Sequence, residues 1–296
     1  IKKYDLKYVY VQKGGQKDSN ISYKVKTLIH ALYPQKLSEI HGFKYSCVSQ
    51  WHSFKFFNNK IPYVPYIVTL NKTKNNFKKK YKIKKNDIVY GCHGGESSFD
   101  LEFVHHTILD VVKKRNDIYF IFLNIKKFCN HPKVIFLKGT FDENIKKKFL
   151  NTCDAMIYGR SLGESFGLAC AEFSYLGKKL ITYKFNRHKS HIYNLPKKNY
   201  EEYSSRKSLF KILTKFNKQK SINLFKNNKY LGYTPNKVIK IFNDVFFTQK
   251  KELKLSLFDY FFNHINFIIM NFRYVRHKIY TIYYHFFESK FIYHKD

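Results

Sequence analysis

The chain has 296 residues, of which 44% are hydrophobic and 19% aromatic, and 55 Lys and Arg against 21 Asp and Glu give it a formal net charge of +34. That length and aromatic content exclude a single small module and a disordered chain, because Phe and Tyr at this density can offset the ordering entropy of a core. The charge attracts any polyanion, but the lysines are spread through nearly every segment and travel with Asn, Ile, Tyr and Phe, so it reads as compositional bias rather than a dedicated nucleic-acid surface.

The five cysteines form no CxxC pair, which argues against a disulfide framework and a zinc site and makes a reducing, cytoplasmic setting the expectation. No run approaches the ~18 apolar residues of a membrane span, and the residues from Ile1 onward do not have the pattern expected of a signal peptide.

In chain order, KYVYVQ (7–12) is β-like and leads into the turn Lys13-Gly14-Gly15, where backbone can approach a ligand; FKYSCVS (43–49) is a second strand. IPYVPYIV (61–68) carries two prolines that favour extended chain, and the lysine-rich stretch after it reads as a junction. From Asp87 onward strands and helices alternate. IVYG, IYFIFLN, KVIFLKG, DAMIY and KKLITY are strands, while LEFVHHTILDVVKK, ENIKKKFLNTC and FGLACAEFSYLG are helices, the last starting near Ser165 or Phe166. Such alternation implies right-handed crossovers and a doubly wound parallel sheet. Helices are expected over 204–216 and 235–247. In the tail, Phe258, Phe261, Ile265, Ile268, Phe272, Val275, Ile279, Ile282 and Phe286 recur at helical spacing, with Asp259, Asn263 and Asn266 interrupting the stripe. The expected division is an α/β unit over 1–68, a linker over 69–86, a second α/β unit over 87–250 and an amphipathic helical tail over 251–296.

In an open parallel sheet, ligands bind where strand ends lead into helix N-termini. Two loops fit. GCHGGESSFD (91–100) offers His93, Gly94 and Gly95 for close approach to a phosphate or sugar, although its glycines match neither a GxGxxG fingerprint nor a P-loop. GRSLGESFGLACAEF (159–173) places Glu164 just outside a helix start and Glu172 about two turns into it, with Arg160 able to meet a ligand's negative charge. Each has a plainer reading too: Glu164 as a cap, Glu172 as a solvated face residue, Arg160 as a surface cation.

Together, GESFGLACAEFSYLGKKLITY resembles the E-x7-E signature of retaining GT-B glycosyltransferases that use nucleotide sugars, a pattern near EGFGLxxxEAxAxGxPVI. Glu164, Phe166, Gly167, Leu168, Glu172, Gly177 and the strand LIT fall in register with it, and DAMIYGRS matches the strand and loop that introduce it. The resemblance covers about 87–183. It implies a GT-B-like α/β fold, with a Rossmann-like donor domain, a short or truncated N-terminal α/β domain and the helical tail. It further implies a hexosyltransferase-type enzyme in which Glu164 and Arg160 serve catalysis, Glu172 holds the ribose, the amides of Phe166, Gly167 and Leu168 cradle the diphosphate, and His93, Gly94 and Gly95 line the donor. No metal or cofactor is implied; the nucleotide-diphosphate sugar is the donor substrate, and the acceptor is a glycan, a lipid-linked molecule or a protein. Lys13, Gly14, Gly15 and His41 are the acceptor-side candidates, with His30 beside them. The family's donor loop carries an Arg and then a Lys. Here Cys92 takes the first position and Ser97 or Ser98 the second, leaving Arg160 and His93 as substitute cations.

Two other readings stay open: a non-catalytic GT-B relative that binds nucleotide sugar, and a basic polyanion-binding protein, for which no nucleic-acid motif is present. The tail likewise has two, as a helix that crosses back to the first domain and as a peripheral contact with an anionic membrane.

Overall fold

Strand β1 (Tyr8–Lys13) pairs in parallel with β2 (Lys26–Ala31), and β2 with β3 (Lys44–Cys47), giving a three-stranded sheet of order β1-β2-β3. The computed structural model describes residues 5–71, 73–218, 228–248 and 253–289. The expected end of the second unit, at 250–251, lies outside them. Helix α1 (Gln50–Phe57) follows β3; its N-cap Ser49 accepts from the His52 amide, and Trp51, Phe56 and Phe57 are buried. Neither β2 nor α1 was expected.

The larger sheet has six parallel strands. β4 (Ile88–His93) leads through α2 (Glu102–Lys114) to β5 (Ile118–Leu123) and β6 (Val134–Leu137), then through α3 (Glu143–Thr152) to β7 (Ala155–Tyr158). A two-residue strand, β8 (Gly163–Glu164), precedes α4 (Leu168–Tyr175) and β9 (Lys179–Tyr183). After β9 come β10 (His188–Lys189), α5 (Ser190–Tyr193) and β11 (Tyr200–Tyr203), and the sheet order is β11-β9-β7-β4-β5-β6. This is a doubly wound order whose direction reverses between β4 and β7, so the crevice for a ligand opens at the carboxyl ends of those two strands. The middle strands are near-continuous apolar runs because helices cover both faces. Gly91 sits where a Cβ would come 2.2 Å from Cys153 Sγ, so glycine lets the end of α3 close on β4.

Two helices, α6 (Arg206–Lys215) and α7 (Pro235–Asn243), complete the layers, shorter than expected, with a π turn at Asp244–Thr248 extending α7. The tail is one helix, α8 (Leu257–Tyr283). Its first half lies on α1: Asn263 Nδ2 donates to Phe56 O at 2.9 Å, and Met270 joins the core of the small sheet. Its second half, continued by a π turn over Tyr284–Glu288, reaches the helices on the large sheet: Tyr280 OH accepts from the amide of Arg206 on α6 at 2.9 Å, and Tyr284 is buried. The helix therefore spans both sheets. The polar residues expected to interrupt its apolar stripe are instead its inward face: Asp259, Asn263 and Asn266 are 2%, 3% and 4% exposed.

Candidate active site

The two loops singled out in the sequence are those that leave β4 and β7, so they flank the reversal point of the sheet. They are also tied to each other. Asp100, in the first loop, accepts from the Ser161 amide at 2.7 Å and from Ser161 Oγ at 2.8 Å, while the Asp100 amide donates to Gly159 O. Asn124, after β5, donates to Gly94 O at 2.7 Å and holds the glycine turn. Gly94 and Gly95 thus form the open rim of the first loop, with Gly95 exposed.

Alternation along β4 decides which side chains reach the crevice. Gly91 and His93 share one face, toward α3 and α4, and Cys92 takes the other. Cys92 is 3% exposed in the core, and burial pushes its thiol well up. It is an inert core residue, and a cation at this position would point into the sheet's packing. His93 stacks near Phe173 and places Nε2 2.8 Å from Glu172 Oε2.

Helix α4 begins two residues later than expected, because Gly167 takes the left-handed conformation (φ 84°) as its N-cap. A Cβ there would meet Glu164 Cβ and His191 Cβ at 3.0 Å. Glu172 is therefore one turn inside the helix rather than two, and the solvated-face reading fails: it is 5% exposed. Lys146 of α3 reaches its Oε1 at 2.7 Å, so each carboxylate oxygen meets a cationic or ring nitrogen. Burial alone would raise this carboxyl; the His93 ring and the Lys146 ammonium more than reverse that and hold it below the usual glutamate range.

Glu164 lies on β8, which pairs with β10 so that Glu164 is opposite Lys189. Its Oε1 accepts from Tyr158 OH at 2.7 Å and from Arg160 Nη1 at 3.1 Å. Arg160 is thus turned back onto Glu164, and its carbonyl is fixed by Asn186 Nδ2 at 2.5 Å. Between the two acids, the amides of Phe166, Gly167, Leu168 and Ala169 donate to no described residue, as expected of a helix start. The side chain of Phe166 is buried beside Tyr66, Tyr230 and Tyr233, while that of Leu168 is exposed.

The acceptor-side candidates gather elsewhere. Lys13 pairs with Asp18 and lies 3.1 Å from His41 Nε2, at the carboxyl end of β1. Gly14 O accepts from Gln35, and Gly15, with φ 114°, accepts from Tyr45 OH at 2.7 Å. His30 is a core residue: Nε2 is 2.9 Å from Val64 O, and burial pushes its pKa down to about 4. The small sheet instead meets the Glu164 region through Tyr33 and Trp51, which the sequence did not mark. The Tyr33 and Trp51 rings lie 6.0 and 6.1 Å from that of His188 on β10, whose pKa burial drives to about 3. Tyr158, Asp100 and Lys146 were also missed: the first two stand inside segments that were singled out for the site, without a role of their own, and Lys146 stands in none.

No protein-family model and no curated protein matches the chain. Solved structures do. A glycosyltransferase from Rickettsia africae ESF-5 superposes with a TM-score of 0.57 at 14% identity, over 84% of this chain and 79% of that one. HepE from Anabaena, in complex with UDP-glucose, gives 0.56 at 14% identity over 75% and 71%. TarM gives 0.56 at 10% identity over 76% of this chain, which spans about half of TarM (51%). These neighbours are GT-B glycosyltransferases, and the chain shares their fold: parallel α/β sheets with a helical C-terminal tail.

Proposed function

We propose that the protein transfers a sugar from a nucleotide-diphosphate sugar to an acceptor with retention of anomeric configuration, as a hexosyltransferase that needs no metal. The observation that carries this reading is the unpaired helix start of α4, set between Glu164 and Glu172 at the reversal point of the sheet. Departure of a nucleoside diphosphate leaves negative charge, which free amides at a helix N-terminus stabilise, while the oxocarbenium-like sugar is tolerated by a carboxylate beside it. In this proposal the amides of Phe166, Gly167 and Leu168 take the diphosphate and Glu164 faces the donor sugar. Arg160 swings from Glu164 to the leaving group, and Glu172 takes the ribose by exchanging its contact with His93 or Lys146 for hydroxyls. Gly94 and Gly95 admit the donor closely. The UDP-glucose bound by HepE supports the donor class, and the TarM complex with UDP, α-GlcNAc-glycerol and Fondaparinux supports a glycan among the acceptors.

The proposed division places residues 1–68 on the acceptor side, with Lys13, Gly14, Gly15 and His41 at its rim, and residues 87–250 on the donor side. A second reading, a relative that binds nucleotide sugar without turnover, is favoured by the pairing of Arg160 with Glu164, which engages the guanidinium proposed to meet the leaving group. A panel of nucleotide sugars with nucleoside diphosphate release as readout separates the two. Release from at least one donor, with the α-configured product retained on NMR, supports transfer; a nucleotide-dependent rise in melting temperature with no release from any donor supports the second reading.

A further inference from the structure

Helix α8 is turned inside out. An amphipathic helix on a soluble protein buries its apolar stripe, but the inward face of α8 carries Asp259, Asn263 and Asn266. Its outward face carries Leu257, Phe261, Phe272, Ile279 and Phe286, exposed by 90%, 63%, 66%, 61% and 63%. Their spacings of 4, 11, 7 and 7 residues, each close to a whole number of ~3.6-residue turns, keep them on one side for the length of the helix, about 40 Å at ~1.5 Å per residue. No described residue covers this face, and its size exceeds the scattered apolar exposure normal for a surface.

Among the described residues of the tail, the charges beside the stripe have one sign, and the two acids are turned to the protein: Asp259 closes the N-cap of α8 with Ser256, and Glu288 accepts from Tyr280 OH at 3.2 Å. Arg276 and Lys278 flank the stripe on opposite sides. Where α8 passes the loop after β9, a cleft of about 450 Å³ opens, floored by Phe185, Ile269 and Phe272 and edged by Lys184, Lys189, Arg273 and Arg276, with the Glu202 carboxylate among them. Arg276 lies over the Phe185 ring at 4.9 Å, and half-buried Arg273 is within electrostatic reach of Glu202, which already pairs with Lys189 at 3.0 Å and Lys197 at 3.4 Å. An apolar floor under four cations, Lys184, Lys189, Arg273 and Arg276, against the single carboxylate of Glu202 suits an anionic headgroup whose chains continue onto the stripe.

We infer that α8 is a membrane-docking face: it lies flat on an anionic phospholipid bilayer, with its apolar stripe in the acyl boundary and a lipid phosphate in the Arg273–Arg276 cleft. No helix among the described residues is long and apolar enough to cross a bilayer, which fits a helix lying on the surface. A second copy of the chain is the poorer occupant, because pairing two such faces brings together two bodies of net charge +34. The docked face adjoins β10, the strand paired with the one that carries Glu164.

The test needs no nucleotide, so it is independent of the proposed sugar transfer. The full chain is sedimented with vesicles of phosphatidylcholine alone and of an equal mixture of phosphatidylcholine and phosphatidylglycerol. Binding is expected to the mixed vesicles, roughly tenfold or more tighter than to phosphatidylcholine, and weakened by salt. Phe272→Gln with Ile279→Gln, both at exposed positions, is expected to cut that binding roughly tenfold or more with an unchanged melting temperature, and Arg276→Gln to cut it about fivefold on mixed vesicles alone. Three results overturn the proposal: no binding to mixed vesicles; binding that the double substitution leaves unchanged, which marks non-specific attraction to a basic body; or, in sedimentation velocity without vesicles, a dimer that the double substitution converts to monomer.

Discussion

The regions around Glu164 and Glu172 belong to one short segment, yet they hold their acids in opposite ways. Glu172 is locked: it is 5% exposed, and its carboxylate sits between His93 of β4 and Lys146 of α3, so that it joins three elements of the large sheet. Glu164 is held locally, by Tyr158 and Arg160 from its own loop, and keeps a fifth of its side chain open. The contrast matches the proposed roles: a carboxylate that binds the nucleotide would be fixed by the sheet, and one that faces the donor sugar would stay reachable.

The sharpest way to break this comparison is Glu164→Ala. If the open acid serves the chemistry, donor turnover falls by about 10²–10³-fold, the size of effect seen when one preorganised electrostatic group is removed. Stability should fall by no more than about 1 kcal/mol, because Tyr158 loses one acceptor and Arg160 can turn to water. Nucleotide-induced stabilisation, read by thermal shift with UDP, should survive. Unchanged turnover would remove Glu164 from catalysis.

Glu172→Ala tests the locked partner. It leaves the buried His93 ring and the Lys146 ammonium facing an empty site, and unfolding in urea should show a loss of about 3 kcal/mol, the lower end for breaking a buried pair because Lys146 is 32% exposed. The UDP shift should vanish with it. The same pair has a pH signature. Its folded-state carboxyl value is depressed, so the ion pair's contribution is complete above the unfolded glutamate value of ~4.3 and is lost as pH falls through the lower folded value. The wild type should therefore lose more stability in that acid window than Glu172→Ala does; parallel pH curves would show that folding does not depress the Glu172 carboxyl.

How far each region could be read beforehand follows the same contrast. The strands of the large sheet were visible because burial on both faces writes them as apolar runs, and the two loops followed from the alternation. Lys146 was invisible. It is one lysine among many in α3, and the packing of α3 against α4 alone selects it. Strand β2 was missed because Lys26, Thr27 and His30 break its run, although Thr27 and His30 are buried. In α1, Trp51, Phe56 and Phe57 carry no helix periodicity that separates them from extended chain. The period of α8 was plain, but a period does not say which side faces the protein. There the polar residues won the interior, since Asn263 bonds Phe56 O and Gln35 O while accepting from the Leu37 amide.

The finest test of the comparison is Tyr158→Phe, which touches the open acid without removing it. Tyr158 is buried, and its hydroxyl donates to the same Glu164 oxygen that Arg160 meets. Deleting the hydroxyl removes one charge-assisted hydrogen bond and leaves no orphan donor, so stability should change by about 1 kcal/mol or less. Glu164 then relies on Arg160 alone, and Arg160 is the cation proposed to leave it for the departing diphosphate. If the two demands compete, turnover falls a few-fold while the UDP thermal shift is unchanged, and the KM for donor stays put as kcat drops. A rise in KM with constant kcat would instead assign Tyr158 to donor binding, and would move the boundary between the two regions toward β7.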